Sequence, residues 1–225
     1  MLKIEKYATM SPEQWEIVIE GMRNPMNSWD RIDSYKTHIE DPDTLETADF
    51  EFFVGDNDYG LMKKLAMGGP VHAKYRRMMP TWVMINAPLY WWKEFDTYKV
   101  GTVVNSCSTM HKIHAKEFTM EDFSCERMLA DGIETLRGVI NQLNRDRNAF
   151  LETKDMDYWY EMIQLLPTSF NQKRLVMVSY ETCVGIHEFR RTHKLPEWHT
   201  FCDWIEQLPL SEMITLDFPV WDDEE

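Results

Sequence analysis

Several features that would narrow a function at once are missing from this 225-residue chain. Its four cysteines, Cys107, Cys125, Cys183 and Cys202, form no CxxC pair and show no metal-like spacing. That argues against a zinc ribbon or a redox dithiol, and with no leader-like opening it predicts a reduced, cytoplasmic chain. No apolar run approaches the roughly 20 residues of a membrane helix, so no membrane partner is expected. A G-x-G-x-x-G fingerprint and a Walker loop are both absent, which removes the common glycine-built phosphate cradles. Neither a repeat nor a Gly/Ser linker breaks the chain, and a single domain over 1–225 is expected.

Basic residues are also scarce where the chain begins and ends. Residues 1–60 carry 14 Asp and Glu against 5 Lys and Arg, and 195–225 carry 9 acids with no Lys or Arg. Residues 61–194 carry 15 acids and 19 bases, so a net charge of −14 surrounds a mildly basic centre. A nucleic-acid binder is disfavoured, because phosphate contacts need a concentrated basic face. What is abundant is apolar and aromatic. With 44% hydrophobic and 28% charged residues the chain is globular, and 9 Trp and 16 Met suit a filled core plus a subunit interface.

Ser11-Pro12 reads as cap and first position of a helix carrying Trp15, Val18, Ile19 and Met22 at helical spacing. Residues 37–58 read as an acidic, irregular insertion, with turns at Asp41-Pro42-Asp43 and Gly55-Asp56-Asn57-Asp58. A helix near 58–67 stops at Gly68-Gly69-Pro70. Residues 81–87 are apolar on both faces, which predicts a buried strand, and Pro88 opens the aromatic helix Leu89–Phe95. Residues 97–111 read as a loop or irregular strand. Leu129, Ile133, Leu136, Ile140 and Leu143 mark the clearest helix, 129–150. Asp155 caps a helix ending at Pro167, Arg174–Tyr180 is a strand, and helices follow at 181–193 and, last, 197–208. The class is α+β.

Four groups of residues bear on chemistry. His72, with Lys74, Arg76 and Arg77 after it, reads as an anion-holding turn or an ordinary basic surface. His111 and His114 lack a carboxylate or thiol at ligand spacing, so no metal is expected. Cys107 beside His111 reads as a nucleophilic pair or an inert thiol. Arg190-Arg191 reads as an anion contact or as the complement of a helix C-terminus.

In their order along the chain, these pieces resemble the flavin-dependent thymidylate synthases. In that family an H-x-[ST]-P-x-E-H element precedes a strand ending in Ala-Pro and an aromatic helix. The signature R-H-R-x-x-S-x-N-E-x-S-x-R follows. Here His72 lies fifteen residues before Ala87-Pro88, and Asn105-Ser106-Cys107-Ser108 falls in the signature. Leu166-Pro167, the strand 174–180, Phe189-Arg190 and the final helix resemble the later block. Residues 15–34, through Met22-Arg23 to Arg31-Ile32-Asp33-Ser34, resemble the opening helix and an A-R-x-S element. The departures are specific. Thr97-Tyr98-Lys99 stands in place of R-H-R, Thr102 for the serine, Ser106 for the glutamate and Met110 for the arginine, with one residue inserted before Asn105. Arg77 and Met78 occupy the Glu-His positions, and Ser179 and Gly185 fall where asparagines are frequent.

The resemblance implies a small antiparallel sheet packed with helices, a homotetramer, and FAD as cofactor with NADPH and methylenetetrahydrofolate as further reactants. It implies reductive methylation of dUMP or a related nucleotide, in which reduced flavin passes a hydride to a uridylate without an enzyme nucleophile. His72, Lys99, Thr102 and Asn105 would line the flavin side of the cleft, and Ser108 and Arg190 the nucleotide side. Two other readings stand beside this one: a non-catalytic nucleotide-binding or sensing protein of the same fold, and an acidic interaction module docking through Trp221–Glu225.

Overall fold

A computed structural model describes residues 1–40 and 47–218. The fold is α+β, with a small antiparallel sheet among helices, as expected. β1 (Lys3–Ala8) precedes α1 (Pro12–Arg23), whose start is closed reciprocally: the Gln14 N–H donates to Ser11 Oγ, and the Ser11 N–H donates to the Gln14 amide oxygen. Trp15, Val18, Ile19 and Met22 form its buried stripe.

Residues 37–40 and 47–58 depart from expectation. They are not irregular: β2 (Tyr35–Glu40) pairs antiparallel with β3 (Thr47–Phe53). Aromatic contacts brace this hairpin, with Phe52 stacked on Trp15 at 6.1 Å and Phe53 on Tyr35 at 5.5 Å. The turn expected at Asp41-Pro42-Asp43 lies outside the described residues. The turn expected at Gly55–Asp58 is instead the start of α2 (Asp56–Met67), with Gly55 as its cap.

β4 (Pro80–Pro88) runs directly into α3 (Leu89–Phe95), then β5 (Thr102–Ser106). β4 is not buried on both faces, because Thr81, Val83, Ile85 and Ala87 are buried while Trp82, Met84 and Asn86 are half-buried. α4 (Ala130–Thr153) and α5 (Met156–Leu165) follow, the latter capped by Asp155 as read. Leu129 lies outside α4 and is 83% exposed, so the apolar stripe begins a turn later than its spacing suggested. β6 (Asn171–Ser179) leads into α6 (Tyr180–Arg190) and α7 (Pro196–Ile205). α7 is not the last helix, since α8 (Glu212–Thr215) follows it.

The sheet order is β1-β4-β6-β5. The Leu89 N–H donates to Phe170 O and the Tyr180 N–H to Met79 O, so β4 and β6 run in opposite directions. The Cys107 N–H to Lys173 O and Ser179 N–H to Gly101 O bonds give the same result for β5 and β6.

The chain divides into two compact units. The first holds Met1–Lys6, Val83–Lys99 and Val104–Val176. Its core joins Leu136, Ile140 and Leu143 of α4 to Met162, Phe118 and Phe170. Trp91, Trp92 and Phe95 are sealed, and Arg174 stacks on Trp92 at 4.3 Å while donating to Asp96.

The second unit holds Tyr7–Trp82, Val100–Val103 and Met177–Glu225. It contains a buried ion pair. Arg23 Nε donates to Asp58 Oδ1 at 2.5 Å, with the two side chains 3% and 0% exposed. Asp58 Oδ2 also accepts from the Asp33 N–H, the Ser34 N–H and Ser34 Oγ. Asp33 in turn accepts from the Asn57 and Asp58 N–H groups at the start of α2. A Cβ on Gly55 would stand 2.3 Å from the Asp33 Cγ, so only glycine allows this approach. Burial pushes the Asp33 carboxyl up, but the N–H bonds from Asn57 and Asp58 together outweigh it and hold the carboxyl below its usual range. That stabilisation is present above about pH 4 and lost as pH falls through the lowered folded-state value.

Arg23→Ala would leave a buried carboxylate without its cation, at a cost of about 3–5 kcal/mol in urea unfolding. A loss below about 1 kcal/mol would show that the pair is not a structural tie.

Candidate functional site

The segment from Lys99 to Ser108 carries four of the six expected site residues, and its entry is held tightly. After α3, Gly101 takes a positive φ of 71°, and a Cβ there would stand 2.6 Å from Ser179 Oγ and 2.7 Å from Thr182 Oγ1. Those hydroxyls belong to the start of α6: Ser179 Oγ accepts from the Thr182 N–H, and Thr182 Oγ1 donates to Val100 O at 2.8 Å. The Ser179 N–H donates to Gly101 O. Strand β5 is therefore launched from a turn clamped onto a helix N-terminus. Sequence reading missed this clamp; its one visible signal was a lone glycine between Val100 and Thr102.

Along β5, Thr102 Oγ1 is buried with no hydrogen-bond partner among the described residues. A buried hydroxyl left unpaired costs about 1–3 kcal/mol, which makes the position one a ligand group would relieve. Lys99, Asn105 and Ser108 are exposed, and Lys99 makes no ion pair among the described residues. Ser108 Oγ accepts from the His111 N–H. Cys107 is exposed, and no described contact joins it to His111, so the nucleophilic pair is not formed. Its carbonyl accepts from Gln172 Nε2 at 2.8 Å, which ties the end of the strand.

His72 sits on the turn after α2, its N–H bonded to Gly69 O. It lines a mostly apolar cavity of about 410 Å³ with Met22, Leu65, Tyr75 and Met78. The basic run beside it is divided, with Lys74 exposed and lining the same cavity. Arg76 is buried, donating to Glu181 at 2.8 Å and to Met213 O, and Arg77 reaches Pro70 O. Arg190 ends α6 with its guanidinium 4.8 Å from the Trp198 ring, while Arg191 pairs with Asp203 and Glu206.

His72, Thr102 and Arg190 thus belong to the second unit and Lys99, Asn105 and Ser108 to the first. Among the described residues, no hydrogen bond or ion pair joins His72 to Thr102 within the second unit, or Lys99, Asn105 and Ser108 to one another within the first. No group of three His, Cys, Asp or Glu side chains in the described residues could hold a metal ion, and no described helix is long and apolar enough to cross a membrane.

No family model matches the chain, and no curated protein matches it. Solved structures do. A thymidylate synthase X from Helicobacter pylori, crystallised with FAD and dUMP, superposes with a TM-score of 0.60 at 12% identity over 94% of both chains. A second structure of the flavin-dependent enzyme from Helicobacter pylori, complexed with FAD and dUMP, gives 0.57 at 11% identity, covering 94% of this chain and 95% of that one. A UMP/dUMP methylase, PolB, from Streptomyces cacaoi, bound with 5-Br dUMP, gives 0.53 at 11% identity over 92% and 88%. What the chain shares with these proteins is the fold.

Gly101→Ala would force both a strained φ and a clash with two hydroxyls. We expect a loss of about 1–3 kcal/mol in urea unfolding, with α6 the first element to lose amide protection. Unchanged stability would mean that the turn is not clamped.

Proposed function

We propose that the chain binds a pyrimidine nucleotide together with a flavin, and that its activity is reductive methylation of dUMP or a closely related nucleotide. The observation that carries this reading is the whole-length match to folds crystallised with FAD and dUMP. The residues on the Lys99–Ser108 segment fit such ligands in chemistry. Thr102 offers a buried hydroxyl lacking a partner, Lys99 an ammonium without a counter-charge among the described residues, and Asn105 and Ser108 exposed polar groups. His72, Lys99, Thr102 and Asn105 are assigned to the cofactor, and Ser108 and Arg190 to the nucleotide.

When bound, the flavin would supply the hydride, with NADPH as reductant and methylenetetrahydrofolate as one-carbon donor. The chain's own part is positioning. Lys99 neutralises phosphate, Thr102 and Asn105 fix orientation, and the clamp at Gly101 keeps β5 from moving as they do so. A homotetramer belongs to the same reading, supported by the exposure of Val100 and Val103 at 88% and 61%. The cytoplasm is its proposed compartment, in keeping with four free thiols.

A second reading, nucleotide binding without turnover, has one observation in its favour. Ser106 and Met110, where the family's signature carries glutamate and arginine, are exposed and uncharged. The acidic interaction module rests on Trp221–Glu225, which lie outside the described residues.

Purified protein given FAD should quench its fluorescence saturably, and Lys99→Gln or Thr102→Val should weaken that binding about tenfold, or about 1.4 kcal/mol. A thermal shift with dUMP but no flavin uptake would select the non-catalytic reading. Neither response would exclude both.

A further inference from the structure

A second cavity in the Tyr7–Trp82 segment shares no residue with the site above and does not depend on that reading. It measures about 470 Å³ and is lined by Arg23, Ser28, Arg31, Asn57 and Lys64, with Asp56 as its one carboxylate. The cations differ in what already holds them. Arg23 is paired with Asp58, and its Nη1 reaches Ser28 O and Oγ at 3.5 and 3.3 Å. Its Nη2, however, is buried with no hydrogen-bond partner among the described residues, on a residue only 2% exposed. Arg31 and Lys64 are exposed and make no ion pair among the described residues.

This attraction does not come from a helix terminus. Of the N–H groups that open α2, those of Asn57 and Asp58 are occupied by Asp33. The charge comes from side chains, two uncompensated cations against Asp56. Ser28 Oγ accepts from Arg23, so its own hydrogen is left to donate.

We propose that this cavity binds the phosphate of a phosphate monoester, with Arg31 and Lys64 matching its two charges and Ser28 donating a hydrogen bond. A dianion of this kind suits two cations that line one cavity and make no ion pair among the described residues, and a guanidinium and an ammonium are the side chains best suited to its oxygens. Asp56 opposes the ligand and sets its affinity below what the cations alone would give.

The test is calorimetric titration of the full chain with inorganic phosphate and with methyl phosphate, against chloride at matched ionic strength. Wild type should bind both saturably. The double variant Arg31→Gln/Lys64→Gln should bind at least about tenfold more weakly, with an unchanged Tm in the absence of phosphate. Asp56→Asn should bind severalfold more tightly, an opposite sign that loss of folding cannot imitate. Equal affinity in the double variant, no saturable binding by wild type, or binding of inorganic phosphate but not methyl phosphate would each overturn the proposal. Because flavin quenching is read separately, failure here leaves the proposed function standing, and the reverse also holds.

Discussion

The Arg23–Asp58 pair is the constraint on which much of the second unit depends. Two charges from positions 35 residues apart are taken almost wholly out of water. Such a pair stabilises only when its remaining donors and acceptors are satisfied. Asp58 meets that condition with three further hydrogen bonds from Asp33 and Ser34, and Asp33 returns the arrangement by capping α2. The end of α1, the Asp33-Ser34 turn and the start of α2 are thereby fixed as one piece. Arg23 keeps one nitrogen, Nη2, without a hydrogen-bond partner among the described residues. The same residue lines the adjoining cavity.

A similar economy governs β5. Its starting turn is fastened by backbone and hydroxyl contacts to the first turn of α6, and its end by Gln172. The strand is held firmly while its polar side chains are left uncommitted. Rigid backbone with uncommitted polar groups is what positioning a ligand requires, since the ordering entropy has already been met in folding. By contrast Arg76, the most conspicuous cation of the basic centre, is consumed internally by Glu181 and Met213 O. Charge totals by region therefore overstate what the centre can offer an anion.

Local signals in the sequence were legible. Ser11-Pro12 and the stripe from Trp15 to Met22, the step from β4 through Pro88 into α3, and the Asp155 cap all stand where their spacing placed them. What was not legible depended on pairing at a distance. The β2–β3 hairpin was obscured by its acidic residues, because Phe52 is supported by Trp15 of α1 and Phe53 meets Tyr35 only across the strand pairing. Gly55–Asp58 has turn composition, but Asp33, 25 residues away from Asp58, makes it a helix start. Leu129 fitted the heptad-like spacing and yet precedes the helix. At the site, residue types could be named from the sequence, whereas the orphaned hydroxyl of Thr102 and the internal use of Arg76 follow only from three-dimensional contacts.

The central claim is that β5 carries the flavin side of the proposed site, and the Thr102 methyl group reports on it directly. In a methyl-labelled sample titrated with FAD, the Thr102 resonance should shift saturably, with a midpoint equal to that of flavin quenching. A Thr102 signal that stays fixed while FAD saturates the protein would contradict the account, because the cofactor would then be held elsewhere.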